Sequence, residues 1–150
     1  MSTDTLVPES AISTAINPEG FQIGAIPAGW VLSGSPMTKC KILGKTQDRM
    51  AYAMLWECEA VTFEWHYEKD EAFVVLSGEV FITDELGVER RFVAGDVRSC
   101  EAGTTLRWRV PHHVRKIAVL KEPVWLPFAI ALKCWNRVLR TFGLSAKSAI

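Results

Sequence analysis

The sequence predicts an all-β fold that ends in an α-helix, and three observations predict it. Between residues 39 and 121, short runs rich in Val, Ile, Phe and Trp are separated by turn residues at roughly 8–12-residue spacing, the pattern of a sandwich or barrel. Within those runs apolar and polar residues alternate, as in "TFEWHY" at 62–67, so each strand buries one face. After Pro127 the apolar period changes to that of a helix.

Taken in order, residues 1–27 are polar and broken by Pro and Gly, and read as an N-terminal arm. "FQIGAIPAGWVLSGSP" follows as short extended pieces, with an edge strand near residues 30–32. "KCKILGK" and "RMAYAMLWECEA" are strands. "AFVVLSGEVFITDELGVERRFVAGD" holds two or more, with Ser77-Gly78 between apolar runs and a turn at "DELG". "DVRSCEAG", "TLRWRV" and "RKIAVLK" complete a barrel over 28–120. In the tail, 121–150, Pro127 suits a first helical turn. Phe128, Ala131, Leu132, Trp135, Val138 and Leu139 then share one helical face. Lys133, Arg137 and Arg140 form a basic stripe on another, and Gly143 is placed to cap the end. This amphipathic helix is expected to pack on the barrel or in a dimer; a membrane surface is the other contact that its basic stripe fits.

A chain of 150 residues is one domain by default, and 49% hydrophobic composition supplies a core. Seventeen basic residues balance seventeen acidic ones, which argues against a nucleic-acid partner. The balance is local: residues 57–101 carry twelve Asp/Glu against four Lys/Arg, whereas 121–150 carry five Lys/Arg and one Glu. Cys40, Cys58, Cys100 and Cys134 form no CxxC, so a zinc ribbon is not expected, and all four are read as buried small apolar groups. The first residues lack a basic start followed by an apolar run, and a cytoplasmic protein with free thiols is expected. No apolar stretch reaches the ~18 residues that a spanning helix needs.

Chemistry concentrates in "FEWHYEKDEAFVVLSGEV", 63–80. Glu71 is followed by six residues and Gly78; His66 lies five positions before Glu71, and Glu64 two before His66. Further on come Gly95-Asp96, Glu101-Ala102-Gly103 and Leu106. This spacing resembles the two motifs of the cupin family, with Glu64 and His66 in the His-x-His slot and Leu106 in the place of the second motif's histidine. Trp56-Glu57, Phe63, Trp65, Tyr67, Glu71, Gly78, Trp108 and Val114-Arg115-Lys116 are similar to the small cupins allied to ureidoglycine aminohydrolases and the ethanolamine-utilisation cupin. The resemblance, over about 28–120, implies a jelly-roll β-barrel of the RmlC-like type.

Strand parity then proposes a pocket. Glu64 and His66 share a face, as do Glu71 and Phe73, and Leu106 and Trp108. With these facing inward, the pocket is Glu64, His66, Glu71, Phe73, Leu106 and Trp108, and Trp65 packs outside or at a dimer contact. Glu64, His66 and Glu71 would be a two-carboxylate, one-imidazole set able to hold Mn, Fe, Ni or Zn with open positions. A metal there would act as Lewis acid or activate water. His66 and Glu71 are the catalytic candidates. Beside these stand plainer readings. His66 is a hydrogen-bonded strand-end histidine, and His112-His113 a solvated loop. Glu71 is a carboxylate paired with Arg115 or Lys116, of which at most one points inward. Three functions follow: a pocket for a polar or anionic metabolite, a metal-dependent aminohydrolase, isomerase or dioxygenase, or a non-catalytic interaction or sensor module. Exposed sheet edges predict a homodimer.

Overall fold

A computed structural model describes residues 20–142. Eight strands are followed by one helix: β1 (Gln22–Ala25), β2 (Val31–Gly34), β3 (Met37–Lys45), β4 (Ala51–His66), β5 (Asp70–Thr83), β6 (Glu89–Val93), β7 (Val97–Cys100), β8 (Thr105–Lys121) and α1 (Leu126–Thr141). Every pairing is antiparallel, in the order β1-β3-β4-β8-β5-β6, with β2 added beside β4 and β7 beside β5. The expected jelly-roll class is what is found.

Three long strands, β4, β5 and β8, carry the architecture, and bulges bend them. In β4 the register shifts between Glu59 and Val61. Trp56 and Cys58 belong to the core cluster ahead of the shift, with Leu55 and Glu57 buried on the other face; Val61 and Phe63, and Tyr67 just past the strand, belong to it afterwards. One extra residue has moved the inward set from even to odd positions, because side chains alternate with a period of two. β5 bends at Ser77–Phe81, where its register with β8 shifts twice. Gly78 makes this possible: its φ is 75°, and a Cβ there would meet the His113 carbonyl oxygen at 1.9 Å. The core is one cluster that includes Phe63, Phe73, Val75, Ile82, Trp108 and Val114, so aromatic and branched side chains fill the interior.

Several expectations change. Residues 22–25, assigned to the arm, are β1 and pair with β3, and residues 1–19 lie outside the described residues. His112 and His113 belong to β8, not to a loop. Of the cysteines only Cys58 and Cys100 are buried; Cys40 is half-buried and Cys134 exposed. No described residue of α1 is buried, so the helix does not pack on the barrel as expected. The Gly143 cap lies outside the described residues. Among the described residues no helix is long and apolar enough to cross a membrane.

Candidate functional site

The chemistry sits where β4, β5 and β8 face one another. Inward positions of β8 are even: Leu106, Trp108, Val110, Val114, Lys116 and Ala118 are buried. Inward positions at the start of β5 are Glu71, Phe73 and Val75. A lysine therefore enters the barrel from β8 and a glutamate from β5. Lys116 is 5% exposed and Glu71 3%, and the ammonium Nζ donates a hydrogen bond to Glu71 Oε1. Four rings surround that ammonium: Phe73 and Trp108 at 4.6 Å from Nζ to ring centroid, Trp56 at 5.1 Å and Trp65 at 5.9 Å. Either charge alone would be costly in this interior. The ion pair, its hydrogen bond and the electron-rich ring faces together offset the desolvation. Arg115, one residue earlier, faces out and grips the buried Glu57 through Nε and Nη2, both at 2.7 Å.

A cleft of about 390 Å³ opens over Glu71. Trp30, Tyr52, Trp65 and Tyr67 wall it; His66, Glu68 and Lys69 stand at its edge. Lys69 is tied to Glu122, whose hydrogen bond raises the lysine pKa. Tyr67 Oη is buried beside Cys100 and Trp108 and makes no hydrogen bond of normal geometry; Trp108 Nε1 is in the same position. Burial, reinforced by the Glu71 carboxylate, holds the Tyr67 phenol well above its ordinary pKa, so it stays protonated as a donor.

The expected pocket residues are only partly brought together. Glu71 forms the cleft floor and His66 its rim. Phe73 and Trp108 are packed in the core with ring centroids 5.3 Å apart. Leu106 is buried and borders a second cleft with residues 84–86. Glu64 is corrected outright: it lies on the outer face, where its Oε1 accepts from Arg107 Nη2 at 3.1 Å and both side chains are exposed. His66 Nδ1 is 2.8 Å from Thr105 Oγ1, and its ring stands edge-on to Trp30 at 4.8 Å. Trp65, expected outside, faces in. The reason is burial: Phe63, Trp65 and Tyr67 remove far more apolar area from water than Glu64 and His66 would.

The metal reading fares accordingly. Glu64, His66 and Glu71 do not converge, Leu106 offers no donor, and Glu71 is held by Lys116. Among the described residues no three His, Cys, Asp or Glu side chains come together to hold an ion. The residues present do not fit the metal that the family resemblance implied. Lys116 is one of the two partners expected for Glu71, but the expected pocket did not include it. Its signal was parity: it lies an even number of residues from Leu106 and Trp108.

The EutQ-like cupin domain model matches residues 45–118. Residues 45–118 belong to the cupin superfamily. This cupin is similar to the EutQ protein of Clostridium difficile, at 23% identity over 59% of this chain and 71% of that one, with a TM-score of 0.51. An RmlC-like cupin from Shewanella frigidimarina is 18% identical over 75% of this chain and 92% of that one, TM-score 0.53. A protein of unknown function from Pseudomonas syringae is 17% identical over 67% and 44%, TM-score 0.59. These likenesses show the fold. No curated protein matches the sequence.

Proposed function

We propose that this cupin is a metal-independent binding module that takes a small polar or anionic metabolite in the cleft over Glu71. The observation that carries the reading is the floor of that cleft, where the motif carboxylate is neutralised by the chain's own Lys116. Tyr67 lines the same cleft, with its hydroxyl turned into the core against Cys100 and Trp108. Trp30 and Trp65 offer ring faces and edges for the rest of the ligand. A volume of about 390 Å³ suits a metabolite at the small end of ligand sites. Because Lys116 and Glu71 satisfy each other, the floor stays fixed, and recognition rests on hydrogen bonding and aromatic contact. The four unpaired cysteines support a cytoplasmic setting.

The test is a thermal-shift screen of polar and anionic metabolites on the purified chain, repeated with Trp30→Ala in the cleft wall, together with metal analysis by elemental mass spectrometry. A ligand that raises the melting temperature of the parent, but raises that of Trp30→Ala much less, is expected. Metal is expected far below one equivalent before and after adding Mn, Fe, Ni or Zn. Near one equivalent, lost in His66→Ala, would replace this reading with a metalloenzyme.

A further inference from the structure

The helix α1 is the part of the molecule that the barrel leaves uncovered. Phe128, Leu132 and Trp135 are 56%, 44% and 60% exposed, and Trp125 and Phe142 at its two ends 77% and 72%. At about 100° per residue, Phe128, Leu132, Trp135 and Leu139 fall on one face, and Lys133 and Arg137 on the opposite one. A helix of 16 residues with no packed face is marginal in water, so a surface must cover this one for it to persist.

The composition says which surface. Leu126–Thr141 contains no Asp or Glu. Two copies of α1 paired through their apolar faces would have no acid to place against their basic residues, which helix pairs use to set register. The apolar face is led by Trp and Phe, where helix pairs favour Leu, Ile and Val. Tryptophan is at home where one edge is apolar and the other wet, as at a lipid headgroup boundary. The helix is also too polar and too short to span a bilayer. An apolar face rich in Trp, Phe and Leu, on a helix whose charged residues are all Lys or Arg, is the pattern of a helix lying in the plane of an anionic membrane surface.

We propose that α1 is a peripheral membrane-binding helix, which inserts Phe128, Leu132 and Trp135 among the headgroups of an anionic lipid surface and leaves the barrel in water. This is independent of what the cleft binds.

The experiment is co-sedimentation of the full chain with vesicles of phosphatidylcholine alone or with about 30% phosphatidylserine. Binding is expected only with phosphatidylserine. It should fall about tenfold in Phe128→Ser/Trp135→Ser, with the barrel's melting temperature unchanged. It should fall in Lys133→Gln/Arg137→Gln and at about 0.5 M salt, since screening weakens attraction to the surface. No sedimentation at either composition would overturn the proposal, as would sedimentation that the Phe128/Trp135 variant leaves intact. A chain that is dimeric in solution and becomes monomeric in that variant would show a second copy as the occupant, and would also overturn it.

Discussion

Lys116 and Glu71 set the character of the site one residue at a time. A lysine stem can run along an apolar wall, but here the charged head is buried as well, so its stability depends on its partners. Lys116→Ala leaves Glu71 as a buried carboxylate without a counter-charge and opens a cavity among four rings. A loss of about 3–5 kcal/mol is expected from guanidinium unfolding. Lys116→Met/Glu71→Leu removes both charges and keeps the volume. It should return to within about 1 kcal/mol of the parent or exceed it, while losing any ligand that needs the cleft floor. If the single change cost as little as a surface ion pair, the ammonium would not be caged. The sequence made half of this visible. The pairing of Glu71 with Arg115 or Lys116 was an open reading, and parity allows only one of the two inward. Which one depends on where β8 sits over β4 and β5, a tertiary fact that local spacing does not contain.

The same limit operates on whole strands. The class of the fold could be read directly, since alternation and turn residues mark most of the strands between 39 and 121. The inward face of β4 could not be read by counting from a motif, because the bulge at Glu59 and Val61 exchanges the two faces midway. Phe63, Trp65 and Tyr67 alternating with Glu64 and His66 did carry the answer in their apolarity. Taking the motif's histidine slot as inward put the polar face in the barrel. Bulges themselves can be tested. Gly78→Ala forces a Cβ to 1.9 Å from the His113 carbonyl oxygen at a φ of 75°, and backbone on both sides has nowhere to move. It should cost more than about 3 kcal/mol or prevent folding. Gly87→Ala, at a φ of 80° with nothing within 4 Å, should cost only the conformational strain, about 1 kcal/mol. Equal losses in urea titrations would mean that strain, and not the approach of β8, fixes the bend in β5.

At the scale of the molecule, the barrel's interior predicts how stability responds to alkali. Cys58 is buried, and desolvation pushes its thiol from 9.0 up to about 12. Burial raises Cys100 and Tyr67 as well. Each group keeps its proton in the folded chain over a range where the unfolded chain has lost it. Unfolding then releases protons, so raising the pH favours the unfolded state. The stabilisation is fully present below about pH 9, where both states are protonated, and for Cys58 is lost as the pH climbs toward 12. The slope approaches about 1.4 kcal/mol per pH unit for each group in its window. Urea midpoints should therefore be flat from about pH 7 to 9 and decline above it. Cys58→Ala is expected to start less stable, through the cavity it leaves, yet to decline with a slope smaller by about one proton between about pH 9 and 10, below the range where exposed lysines discharge. Thiol labelling gives an independent reading of the same burial. Cys134, exposed on α1, should react at once, whereas Cys58 and Cys100 should react only as fast as the barrel opens. An identical alkaline slope in parent and Cys58→Ala, with rapid labelling of Cys58, would mean that the interior admits water, and the caged ammonium of Lys116 could not then be as dry as its four rings make it.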